Sequence, residues 1–151
     1  MNNVFKFLLV IVLFASLNGC SVQTKKSDDI TATFSRQIKP AESTSPAVLA
    51  LIKKARVNAM NGELDKAMLR LERAVRIEPA NAVIWHYMAK LFLQQENYKQ
   101  AAGYASRSNS MARADKSLVI DNWRIIAHAR FRLGNRKGAL KAQDRINKLQ
   151  Q

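Results

Sequence analysis

The sequence predicts an all-α chain: an apolar leader, a polar tail, then three helical hairpins stacked in a row. Three observations carry this. From Val48 onward, apolar and small residues recur every three or four positions, the stripe of an amphipathic helix, and no stretch shows the period of two that a strand series needs. Alanines return at fixed intervals: Ala101 lies 34 residues after Ala67 and Ala139 lies 38 after Ala101, with Ala55, Ala89 and Ala127 spaced in the same way. The bends return with them, at Gly62, Glu96 and Gly134, and Trp85 and Trp123 are 38 apart.

Residues 1–19 read as a secretory leader, with Lys6 followed by the nine-residue apolar run Phe7 to Ala15. That run is too short to span a bilayer, which takes about 20 residues. It ends in Leu17-Asn18-Gly19-Cys20, which resembles the processing box of bacterial lipoproteins. The resemblance implies that Cys20 is acylated and becomes the new amino terminus. Cys20 is the single cysteine of the chain, so an internal disulfide is excluded. Ser21 follows in place of an aspartate, which in lipoproteins of this kind directs the protein to the outer membrane. Residues 20–46 are rich in Ser, Thr, Lys and Asp and carry few large apolar side chains, the composition of a flexible linker. A flexible tether of roughly 26 residues has a root-mean-square span of about 28 Å. Phe34 and Ile38 make at most a weak docking segment, since isolated apolar residues are common in linkers.

Residues 47–151 form the folded domain. Helices are predicted at about 47–60, 64–77, 82–95, 98–112, 118–133 and 136–149, with Asn61-Gly62, Asn97 and Gly134-Asn135 marking the hairpin turns. Pro79 ends the second helix, and Asn81 is placed to cap the third. A period of 34 in paired amphipathic helices resembles the tetratricopeptide repeat. Unit one carries Ala55, Gly62, Ala67, Leu71, Ala74 and Pro79; unit two carries Trp85, Ala89, Phe92, Tyr98 and Ala101; unit three carries Trp123, Ala127, Gly134 and Ala139. The units run over about 48–81, 82–119 and 120–151, with four extra residues at the junction from Ala114 to Leu118. Leu51, Leu64, Leu71, Trp85, Met88, Phe92, Tyr98, Trp123, Ile126 and Leu140 are the expected core, the tryptophans as wedges between hairpins rather than ligand-stacking surfaces.

In this repeat family the first helix of each hairpin lines a concave groove. Carried over position by position, the resemblance puts there Leu49, Ile52, Arg56 and Met60 from unit one, then Val83, His86, Lys90 and Leu93 from unit two. Unit three contributes Asp121, Arg124, His128, Phe131 and Arg132. Arg56, His86, Lys90, Arg124, His128 and Arg132 are the candidate partner-binding residues, a basic set suited to an extended or helical peptide bearing carboxylates. The net charge of +14 fits an anionic counterpart or a strongly solvated surface. From Arg113 to the end, ten Lys or Arg stand against three Asp. Nucleic acid is the reflex partner for such a stretch. An exported, lipidated chain does not meet it routinely, so an envelope protein is expected in its place.

An enzyme is not expected. The chain has no nucleophile elbow and no glycine-rich phosphate loop, and its two histidines have no clustered partners for a metal or for acid–base work. No cofactor is expected either. The leader, the short array, the LERAVRIEP segment of unit one and the Asp121-Asn122-Trp123 junction resemble the gammaproteobacterial lipoproteins that activate bifunctional penicillin-binding proteins. That resemblance implies a membrane-anchored scaffold that grips a periplasmic synthase. The alternative is an assembly lipoprotein for an outer-membrane pilus or secretion complex, although those carry about twice as many repeats.

Overall fold

A computed structural model of the chain describes Ile38, residues 44–112 and residues 115–151. The leader, Cys20, Phe34 and Arg113 lie outside the described residues. Among the described residues there are six helices and no strand: α1 (Pro46–Met60), α2 (Leu64–Ile77), α3 (Ala82–Gln94), α4 (Tyr98–Met111), α5 (Lys116–Arg132) and α6 (Arg136–Gln150). None of them is long and apolar enough to cross a membrane.

Helix starts follow the side chains that satisfy free backbone N–H groups. Ser45 accepts from the Val48 amide ahead of Pro46, whose ring suits the first helical turn. Asn81, Asn97, Asp115 and Asn135 accept from the amides of Val83, Gln100, Leu118 and Gly138 in the same way. The hairpin bends demand a left-handed residue. Gly62 (φ 78°) and Gly134 (φ 76°) provide it without steric cost, whereas Glu96 adopts φ 58° with a side chain attached.

Each hairpin closes through small residues. Ala55, Ala59, Ala67 and Ala74 are buried in the first, Ala89, Ala101 and Ala105 in the second, and Ala129 and Ala142 in the third. The helices alternate between two layers. α1, α3 and α5 touch one another along an inner layer, whereas α2, α4 and α6 meet only helices of that layer. Two apolar clusters run through the stack, one centred on Ile52, Leu71, Ile84 and Leu118, the other on Ala101, Ile125 and Ile126.

Trp85 is core: its Nε1–H donates to the Pro79 carbonyl at 2.8 Å, and its ring packs on Tyr104 with Arg107 above it. Leu140 departs from the expected core, because it is 71 % exposed. It lies on α6, which among the described helices packs on α5 alone, so its outer side stays uncovered.

The zero exposure of Ala101 and Ala105 makes the second hairpin sensitive to added volume. Ala101→Leu should cost about 1–3 kcal/mol through overpacking, lowering the melting temperature by roughly 4–8 °C per kcal/mol for a domain of this size. A substitution at exposed Lys99 should leave the melt unchanged. Thermal denaturation followed by circular dichroism compares the two.

Candidate partner-binding face

The inner layer is uneven, and its middle helix explains why. Residues Ala82–Leu91 of α3 are all buried, because α1 and α5 flank it on either side while α2 and α4 pack behind. This corrects the expectation for two candidates. His86 is 0 % and Lys90 2 % exposed, so neither presents an open contact surface to a partner. The sequence carries the sign of this burial. From Ala82 to Leu93, His86 and Lys90 are the sole charged or titratable residues apart from Tyr87, and a helix that is apolar all round is a buried one.

His86 ends a chain of buried hydrogen bonds whose direction is forced from the other end. The Ala82 carbonyl only accepts, so the Ser108 hydroxyl donates to it at 2.8 Å. Ser108 Oγ then accepts from Asn122 Nδ2 at 2.7 Å, which leaves Asn122 Oδ1 to accept from His86 Nδ1 at 2.8 Å. His86 is therefore the neutral tautomer protonated on Nδ1, and its Nε2 is buried without a hydrogen-bond partner. Burial, with the nearby Lys90 charge second, pushes the imidazole down to about 4. Ser108 and Asn122 did not stand out in the sequence, since their roles depend on residues 26 and 36 positions away.

Next to this chain lies a tyrosine with two cations on its ring. Arg56 from α1 sits 5.9 Å and Lys90 5.5 Å from the centroid of Tyr87, which is 2 % exposed. Burial pushes the Tyr87 phenol up, while Arg56 pulls it the other way. Ala55, Arg56, Leu71, Tyr87 and Leu91 close on one another without room for a water molecule. Asp121, 8 % exposed, pairs with Arg124 one turn along α5, so Arg124 presents its outer side half-exposed.

The remaining candidates form a separate, open group at the far end of the inner layer. Arg132 lies 4.7 Å over the Tyr98 ring and 3.9 Å from Glu96, and His128 packs at 6.3 Å from the same tyrosine. Phe131, 61 % exposed, and Leu133, 53 % exposed, stand beside them. The six candidates thus divide: His86 and Lys90 lie beneath the face, Arg56 is half-buried, and Arg124, His128 and Arg132 reach solvent. Among the described residues no group of three or more His, Cys, Asp or Glu is arranged to hold a metal.

Three stacked hairpins with a continuous inner layer define a short tetratricopeptide array, a scaffold class whose surface binds other chains. A family model described as tetratricopeptide repeat matches residues 48–91. Among solved structures, the globular C-terminal domain of P. aeruginosa LpoP is 32 % identical, with a TM-score of 0.66; the alignment covers 68 % of this chain and 97 % of that one. The N-terminal domain of stress-induced protein-1 (STI-1) from C. elegans shares the fold at 13 % identity and TM-score 0.67, covering 72 % of this chain and 88 % of that one. No curated protein matches the sequence. The chain belongs to the tetratricopeptide-repeat family that includes the LpoP C-terminal domain.

The buried imidazole makes stability depend on pH in a defined window. Its folded value lies below the ordinary 6.5, so the unfolded chain takes up this proton first and stability falls with pH between 6.5 and about 4. The slope contributed is about 1.4 kcal/mol per pH unit at most. His86→Gln should flatten the melting temperature across that window while lowering it at pH 7.

Proposed function

We propose that this protein is a non-catalytic lipoprotein scaffold, anchored in the outer membrane through an acylated Cys20, that binds a periplasmic protein and activates a peptidoglycan synthase. The observation that carries this reading is the 32 % identity to the LpoP C-terminal domain over 97 % of that chain. It is supported by the Leu17-Asn18-Gly19-Cys20 box, which resembles the lipoprotein processing site. The partner class comes from the resemblance to lipoprotein activators of bifunctional penicillin-binding proteins. Arg124, His128 and Arg132, with Phe131 beside them, are the contact residues on this reading. They combine exposed cations with an aromatic anchor at the open end of the inner layer. His86 and Lys90 shape that layer from beneath, and Arg56 borders it.

Two measurements test the proposal. Cys20→Ser should leave an unprocessed precursor that takes up no labelled palmitate; unchanged labelling would remove the anchor. In a pulldown with the periplasmic part of the cell's bifunctional penicillin-binding protein, the double reversal Arg124→Glu, Arg132→Glu should weaken capture on the order of tenfold and reduce its salt sensitivity. Reversal of exposed Lys137 and Lys141 on the outer helix α6 should leave capture intact. Loss of capture with the α6 pair alone would move the partner to the outer flank.

A further inference from the structure

Among the described residues of the polar tail, Ile38 and Thr44 are buried. Ile38, eight positions before α1 begins, is 5 % exposed and belongs to the same buried cluster as Ile52, Leu71, Tyr87 and Leu91. Its backbone is hydrogen-bonded to the Tyr87 side chain, the amide donating to the phenolic oxygen. The chain is held again just before α1. Thr44 is 7 % exposed, and its hydroxyl oxygen accepts from Asn81 Nδ2 at 3.1 Å. The Ser45 amide donates to Glu78 Oε1 at 2.8 Å, and Glu78 Oε2 accepts from the same Asn81 amide at 2.7 Å. Ile38 and the Thr44–Ser45 pair thus both touch residues at or just after the junction between unit one and unit two. Ile38 meets Tyr87 from the inner side, where Arg56 and Lys90 flank the ring. An aliphatic residue in a polar tail gains burial there that the tail cannot supply by itself.

We infer that the seat beside Tyr87 is a peptide-binding site for an extended segment with a β-branched aliphatic side chain, and that the chain's own Ile38 segment is its resident ligand. Two features define the recognition: an apolar slot bordered by Arg56 and Lys90, and the Tyr87 hydroxyl as acceptor for a backbone N–H. Main-chain bonding gives such a site affinity, and the slot gives it side-chain preference. Tethering supplies the rest. A short flexible connection holds a ligand at an effective concentration on the order of mM, so a modest intrinsic affinity suffices to keep the seat filled. A partner that uses the inner layer near unit two must displace Ile38, whereas the open end at Arg124, His128 and Arg132 stays accessible. The displacement rests on the proposed partner-binding role of this face. The occupancy by Ile38 does not.

The test needs no partner, so its failure is distinct from failure of the proposed function. In the full chain in detergent micelles, the Ile38 amide should exchange with solvent at least tenfold more slowly than in a free peptide of residues 30–43. Tyr87→Phe should release that protection and leave the amides of α4 protected. The same peptide, added in trans and followed by chemical-shift changes at Tyr87, should bind Ile38→Asp at least tenfold more tightly than the wild-type chain. Circular dichroism of Ile38→Asp should match wild type. Free-peptide exchange at Ile38, equal peptide affinity for the two chains, or no binding to Ile38→Asp at mM peptide would each overturn the inference.

Discussion

The stacking of the third hairpin on the second depends on one directional chain of hydrogen bonds, from His86 through Asn122 and Ser108 to the Ala82 carbonyl. It joins α3, α4 and α5. Apolar packing alone tolerates small rotations between hairpins, because dispersion contacts have little directionality. A buried donor–acceptor chain does not, since any slip leaves polar groups unpaired in a low-dielectric interior. Burial, with the Lys90 charge second, holds His86 neutral against the pull of its hydrogen bond to Asn122, and the cations Lys90 and Arg56 settle on the Tyr87 ring.

The inner layer follows from that arrangement. α3 is enclosed by neighbours on both sides, so its polar side chains must be satisfied internally, and the long Lys90 stem lies along apolar surface with its ammonium over Tyr87. α5 and α6 have neighbours on one side only. Their distal surface leaves Phe131, Leu133 and Leu140 exposed. A single repeated pattern thus yields a sealed middle and an open end, and the cations sort accordingly.

This sorting changes how the net charge of +14 should be understood. A basic chain invites the picture of one electropositive groove. Here Lys90 lies buried against Tyr87, Arg124 is half-neutralised by Asp121, and Arg132 shares its position with Glu96 and Tyr98. What stays exposed at the inner layer, and carries the proposed partner contact, is a small, mixed surface of guanidinium and aromatic groups. Such surfaces favour steering and orientation of a protein partner over bulk attraction to any polyanion.

The sequence by itself determined the all-α class, the three hairpins and the helix limits to within two residues. Those features come from local chemistry: alanines where helices approach, asparagines and an aspartate at the caps, and Gly62 and Gly134 at bends that need positive φ. It offered Phe34 and Ile38 only as a weak docking segment, since isolated apolar residues are common in linkers. Only the tertiary structure decided which inner-face residues are reachable. Repeat position identifies a residue's direction on its own helix, but exposure depends on what packs against that helix from elsewhere in the chain. Lys90 and Arg56 occupy the same position in successive units, yet one is enclosed and the other is not. The difference lies in their neighbours: of the inner helices, α3 has both α1 and α5 beside it, whereas α1 has α3 alone. The partners of His86, 36 residues away in sequence, and the contact between Tyr87 and the tail were beyond reach for the same reason: each is a long-range encounter that no local pattern encodes.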